Sequence, residues 1–371
     1  MMNRELFLEI LNIDSTSGRE RRLADFLSER LMTPGCRLER FDVESMSGDV
    51  PAGEGVPQNL LFSWGEPEVV FCTHLDTVPP YIPPTVSSDG TTVYGRGTCD
   101  AKGQIMAMYE ACLALESKGC TGFGLLLLAG EETGSFGAKA FREAHPGAEW
   151  LVVGEPTDNC MVSASKGTKA FEVTFTGKAF HSGYPQYGNS AVEHFNGFMN
   201  ALRSIGFPKD DVLGETTFNV GRLVSDNPQN ILSDRLTCRV YFRTTFESDE
   251  MVGNVMKNMA GPDARLRFGR SHVQDGSDVV AREVAPWQKA MSVVALGGDT
   301  PTRYEVLEGF PSKPVAFGSD APQLTNFRHK ILCGPGSILV AHRDEEYISL
   351  ADLDAAVENY IRIYENIIGR P

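Results

Sequence analysis

Positive charge is in short supply: 34 Lys and Arg stand against 49 Asp and Glu in 371 residues, a formal net charge of −15. That balance argues against nucleic acid and anionic membrane surfaces as partners, since both are bound through lysine and arginine. Long apolar runs are absent as well, so no segment reads as a membrane span. The opening stretch MMNRELFLEILNIDSTSGRERR carries charges throughout and lacks the apolar core of a signal peptide. Cys36, Cys72, Cys99, Cys112, Cys120, Cys160, Cys238 and Cys333 are scattered, with no Cys-x-x-Cys pair. Reduced thiols in a cytoplasmic protein are the simplest reading. No internal repeat and no low-complexity tract interrupts the chain.

What is present points to a folded enzyme-sized chain. The length suits two domains, and a hydrophobic fraction of 42% suits a globular protein. The patterning predicts helices over Arg4–Ile13 and Glu20–Leu31, strands over Asn59–Ser63 and Glu68–Thr73, and a helix over Gly103–Lys118. A leucine strand at Leu125–Leu128, a helix over Ser135–Glu143 and a strand over Glu149–Val153 follow. Such alternation indicates an α/β domain with a mainly parallel sheet and helices on both faces. Near Lys166 the rhythm changes: KAFEVTFTG alternates like a half-exposed strand. Strands in ETTFNVGRLV and DRLTCRVYFRTTF, with helices over Ser190–Ile205 and Asp249–Met259, make a smaller α+β insert. From about Ala281 the α/β alternation returns and ends in a helix over Leu350–Ile368. The expected division is therefore 1–165 and 276–371 for the catalytic domain, and 166–275 for the insert.

The polar residues that follow the apolar strands carry the chemistry. LLLLAGEETGS is a strand buried on both faces, running into Glu131 and Glu132. Alone, that pair reads more readily as a solvated loop tip. VVFCTHLDTVPP ends a second strand with His74 and Asp76 on the same side, since side chains alternate. A carboxylate beside an imidazole commonly orients the ring towards a metal. YGRGTCDAKG holds Asp100 at the mouth of a helix, where a simple capping role is the competing reading. LVVGEPTD places Glu155 after a third strand, and GPGSILVAHRDEE places His342 in a loop before the last helix. In a parallel sheet these strand ends share one edge. Two imidazoles and several carboxylates there form a nitrogen/oxygen donor set that suits zinc, with cobalt or manganese as substitutes. A shared carboxylate would permit a two-ion site.

Taken together, THLDTVP, YGRGTCDAKG, AGEETGS, VGEPT, GKAFHSGYPQYGNSA, NPQNILSDRLTCRVYFR, FGSDAPQL and GPGSILVAHRDEE resemble the di-zinc amidohydrolase and metallopeptidase family. That family contains acetylornithine deacetylase, succinyl-diaminopimelate desuccinylase, aminoacylase and glutamate carboxypeptidase. The segments occur in the family's order from about residue 60 onward. The resemblance implies two zinc ions bridged by Asp100, one also held by His74 and Glu155, the other by Glu132 and His342. It implies Glu131 as general base and Asp76 as the residue that orients His74. The insert becomes a lid and homodimerisation domain. On that resemblance His181 would stabilise the oxyanion across the dimer, Asn230 would hold the substrate or that oxyanion, and Arg243 would pair with the substrate carboxylate. The resemblance also implies that Ser319 and Asp320 line the substrate pocket.

Three departures bear on specificity. Ala101 stands where the family often has Met. Ser319-Asp320 replaces the Thr-Glu more usual in acetylornithine deacetylases. Cys99 puts a thiol beside Asp100, an expected point of oxidative sensitivity. The resemblance implies hydrolysis of an amide in a small N-acyl amino acid, acetylornithine deacetylase-like and part of arginine or lysine metabolism. Cleavage of short peptides by the same water attack is the alternative. Glu155 favours deacylation over dipeptide cleavage, because the family's dipeptidases and tripeptidases more usually carry Asp there. His145, His194, His272 and His329 match no motif and read as structural or solvated.

Overall fold

A computed structural model describes residues 3–46, 50–269, 271–273 and 280–369. The chain forms two compact units, one of Met1–Ser163, Arg303–Pro314 and Ser319–Pro371, the other of Ala164–Thr302 and Val315–Gly318.

The larger unit is built on a six-stranded sheet. Its spatial order is Arg37–Asp42, Gln58–Trp64, Phe123–Leu128, Val69–His74, Trp150–Val153 and His329–Leu332. The first three are antiparallel neighbours, and the remaining pairs are parallel. Every residue of Val69–His74, Phe123–Leu128 and Trp150–Val153 is buried, as expected of strands covered on both faces. The leucine run is apolar throughout because it has no solvent face to serve.

Helices supply the cover. Lys102–Ser117 is buried on nearly all sides, between the sheet and the helix Leu350–Ile368. The latter turns Leu353, Ala356, Tyr360, Ile363, Tyr364 and Ile367 inward, at the three- and four-residue spacing of an amphipathic helix. Ser349 caps it, accepting a hydrogen bond from the Asp352 amide. On the opposite face the helix Phe136–Ala144 is tied to the sheet by buried Asn59, which donates to the Gly137 carbonyl and accepts from the Ala129 amide.

The smaller unit carries a four-stranded antiparallel sheet ordered Thr217–Val224, Arg235–Thr244, Gly167–Thr176, Met291–Gly297. Alternate residues Leu236, Cys238, Val240 and Phe242 join Phe171, Val173 and Phe175 in its core. The helices Ala191–Ser204 and Asp249–Asn258 pack on that face. The expected division at 275/276 lies outside the described residues. Beyond it, the strand Met291–Gly297 pairs with Gly167–Thr176, so this unit continues to Thr302. A short helix followed by an apolar strand looks alike in either kind of sheet, which is why the pattern after Ala281 read as a return to α/β.

No helix among the described residues is long and apolar enough to cross a membrane. All eight cysteines are free.

Candidate metal centre

Three adjacent parallel strands deliver the first side chains. His74 ends its strand in register with Leu128, and Cys72 pairs with Val153 on the other side. The chain therefore leaves Leu128 towards Glu131 and Glu132, and Val153 towards Glu155, at the same carboxyl edge as His74. Gly130 makes the first of these turns possible. Its φ is +69°, and a Cβ there would stand 2.5 Å from the Met46 sulfur. Asp100 arrives from the loop before the helix Lys102–Ser117, and His342 from a loop far along the chain.

The structure brings all six of these candidate residues together. His74 Nε2 lies 3.0 Å from Asp100 Oδ1, while His342 Nε2 lies 3.3 Å from Asp100 Oδ2 and 2.9 Å from Glu132 Oε1. Each oxygen of Asp100 thus meets a different imidazole. Donor atoms fall into three groups, each within 4.8 Å: His74, Asp100 and Glu155; Asp100, Glu132 and His342; and His74, Glu131 and Glu132. Asp100 belongs to two of them. His342 reaches its partners from a backbone φ of +62°, in the left-handed region that side chains other than glycine enter at a cost.

Asp76 acts mainly on the glutamate loop. Its carboxylate accepts from the backbone amides of Glu131 at 3.0 Å and Glu132 at 3.2 Å, and from the Ser17 hydroxyl at 2.8 Å. His74 Nδ1 is closest to the Asp76 backbone carbonyl, 2.9 Å away, with the carboxylate at 3.5 Å. The ring is oriented chiefly by that carbonyl, and the Asp76 side chain holds the turn that carries both glutamates.

The electrostatics call for added positive charge. Burial, reinforced by neighbouring carboxylates, pushes Glu131 and Glu155 well above the usual carboxylate range. Burial also works against ionised Asp100, but hydrogen bonds from His342 and His74 outweigh it and hold that carboxyl well below its ordinary value. The bonds to Asp100 and Glu132 push His342 up to about 10. Among the described residues, Asp100 and Glu132 form ion pairs with histidines alone. The imidazoles are drawn towards the protonated form by a crowd of negative charge that divalent cations would neutralise. Two imidazoles and shared carboxylates in overlapping groups fit a pair of such ions.

Other candidate residues fall elsewhere. Ser319 and Asp320 are buried in the larger unit. The Ser319 hydroxyl lies 3.4 Å from that of Tyr304, and the Asp320 charge helps raise Glu131 and Glu155. In the smaller unit His181 and Asn230 are exposed and adjacent: the Ser182 amide donates to the Asn230 carbonyl, and His181 bridges Ile231. Arg243 is half-buried, its guanidinium over the Tyr241 ring. Cys99 is buried, and burial pushes its thiol far above the ordinary value. His329 stacks on Trp150 and His145 on Phe141. His194 is buried in the helix Ala191–Ser204, and the His272 side chain lies outside the described residues. Sequence reading passed over Arg96 and Glu346, a buried ion pair beneath Asp100 and His342. The only signal for them was an arginine between two glycines and the acidic run at 344–346, which reads as a solvated loop.

The fold and this donor set define a class, a protein of mixed α/β architecture with a candidate metal centre at its sheet edge. The chain belongs to Peptidase family M20/M25/M40, which it matches over residues 70–366. It is therefore a hydrolase of amide bonds. A probable carboxypeptidase from Aspergillus niger is 30% identical over 98% of this chain and 89% of its own length. A peptidase M20 domain-containing protein from Schizosaccharomyces pombe is 31% identical over 96% and 83%. Among solved structures, a tripeptidase from Staphylococcus aureus superposes with a TM-score of 0.77 at 19% identity, covering both chains completely. An M20 family metallo-carboxypeptidase from Sulfolobus solfataricus gives 0.70 at 16% identity, covering 98% of this chain and 99% of that one. The family generally uses zinc or other divalent metals, in keeping with the clustered donors.

Proposed function

We propose that this chain is a metal-dependent carboxypeptidase that removes the C-terminal residue of short peptides. The observation that carries this reading is the intact cluster of His74, Asp100, Glu131, Glu132, Glu155 and His342 in a chain whose full-length relatives include probable carboxypeptidases. Glu155 sets it apart from the family's dipeptidases and tripeptidases, in which Asp is more usual. Glu155 was expected to favour deacylation, and it is the peptidase relatives that move the reading away from an acetylornithine deacetylase in arginine biosynthesis.

His74, Asp100 and Glu155 would hold one divalent cation, and Asp100, Glu132 and His342 a second, with zinc the first choice and cobalt or manganese as substitutes. Bound there, such ions supply Lewis acidity and lower the pKa of the attacking water. Glu131 accepts the proton of that water and returns it to the leaving amine nitrogen. Asp76 holds Glu131 in place through its backbone amide. Arg243 pairs with the terminal carboxylate of the peptide, a task for which a forked guanidinium is suited. His181 and Asn230 donate to the oxyanion, and Ser319 and Asp320 shape the pocket for the released residue.

A matched substrate panel tests this. Short peptides with a free C-terminus should be cleaved with release of the last residue, and the same peptides amidated at the C-terminus should be spared. Preferential hydrolysis of N-acetylornithine or another N-acetyl amino acid, with peptides untouched, would restore the deacylase reading.

On the same reading the smaller unit makes a homodimer and His181 serves the partner's site. Mixing inactive His181→Ala with inactive Glu131→Gln protein should then recover about a quarter of wild-type activity, because half of the exchanged dimers hold one intact site. No recovery after verified subunit exchange would place His181 at its own subunit's site.

A further inference from the structure

The ion pair Arg96–Glu346 lies under the junction of two loops that share no local sequence. Both side chains are almost wholly buried, and Arg96 Nη1 donates to Glu346 Oε2 at 2.6 Å. The other Glu346 oxygen, Oε1, accepts from the backbone amides of Cys99 and Asp100, both at 3.0 Å. Arg96 Nη1 also donates to the carbonyl of Arg343, the residue after His342, at 3.1 Å, and Arg96 Nε to the Pro80 carbonyl at 3.3 Å. Main-chain bonds close the arrangement: the Gly95 amide donates to the Glu346 carbonyl, and Tyr347 pairs with Tyr94. Each side chain therefore grips the backbone of the opposite loop, next to Asp100 on one side and His342 on the other.

We infer that Arg96 and Glu346 are positioning residues that set the spacing of Asp100 and His342, and so build the group formed by Asp100, Glu132 and His342. This rests on reading the cluster as a two-metal site. Three features make the pair more than a fold staple. A buried ion pair is a weak source of stability, since desolvation offsets much of its attraction. It is also attached to the flanks of candidate ligands instead of to core elements. Furthermore, His342 occupies a left-handed backbone conformation, which persists only where surrounding contacts hold it. The grip on the next residue's carbonyl is such a contact. The group of His74, Asp100 and Glu155 draws two of its three members from strand ends that the pair does not touch, so it depends on the pair less.

The test is titration of metal-free protein with Co²⁺, followed by its visible absorption and by calorimetry. The wild-type chain should take up two ions. Glu346→Gln, folded by near-ultraviolet circular dichroism, should bind the first ion as wild type does. Its second should bind about ten- to a hundredfold more weakly, the usual loss when the partner of a ligand is removed. Two ions at wild-type affinity in the folded variant would overturn the inference, and so would equal weakening of both. Should Glu346→Gln leave Arg96 as an unpaired buried charge and fail to fold, the charge-neutral Arg96→Met/Glu346→Gln protein is titrated instead. The same selective loss of the second ion is expected from it. If that variant also fails to fold, the pair is a folding element and the assignment falls. A wild-type chain that binds fewer than two ions would instead sink the two-metal reading itself, whatever the variants do.

Discussion

Glu131→Gln is expected to leave the fold and metal content unchanged while lowering turnover by at least a hundredfold to ten-thousandfold, the range for a positioned general base. At about 1.36 kcal/mol per tenfold, that is about 2.7–5.4 kcal/mol of lost transition-state stabilisation. The substitution keeps the shape of the side chain, and the Glu131 backbone amide still donates to Asp76. Only the ability to take and return a proton is removed. The loss should therefore appear equally in kcat and kcat/KM, the pattern of an interaction made only in the transition state. Steady-state kinetics on the best peptide, with metal content measured on the same samples, decides the matter. A rate close to wild type would take the general-base role from Glu131.

Asp100→Asn should do still more damage, because it strikes both ion positions at once. One Asp100 oxygen faces His74 and the other His342, and the residue belongs to two of the three donor groups, the one with His74 and Glu155 and the one with Glu132 and His342. Asparagine keeps one acceptor but loses the charge, and it presents an amide donor to a site that needs a ligand. The expected result is less than one tightly held ion after dialysis, and hydrolysis at background even with added zinc. Glu132→Gln is the comparison. Among the groups that also contain Asp100, Glu132 enters only the one with His342, so its loss should spare the ion at His74, Asp100 and Glu155. Retention of two ions by Asp100→Asn would remove the shared carboxylate from the proposal.

Much of the architecture was written locally. Val69–His74, Phe123–Leu128 and Trp150–Val153 are apolar because both faces of the sheet are covered, and their polar successors fall at one edge because the strands are parallel. Those two facts alone made His74, Glu131, Glu132 and Glu155 legible as a group. The helix Leu350–Ile368 was equally plain as the last element of the chain, and its serine cap is a finding of the structure. The edge strand Arg37–Asp42 was not, since RLERFD is mostly charged and half-exposed and offers little apolar pattern.

What the sequence by itself determined was thus most of the main elements, the sheet edge and the types of donor brought to it. Local patterning decides these, because burial and backbone hydrogen bonding select residues over a few positions at a time. Only the tertiary structure decided that each oxygen of Asp100 meets a different histidine, that Asp76 serves the glutamate turn more than the His74 ring, and that Met291–Gly297 joins the smaller sheet. It alone joined Arg96 to Glu346 across the intervening chain. Contacts between distant loops leave no periodicity behind, and a buried arginine or glutamate is written with the same letter as a solvated one.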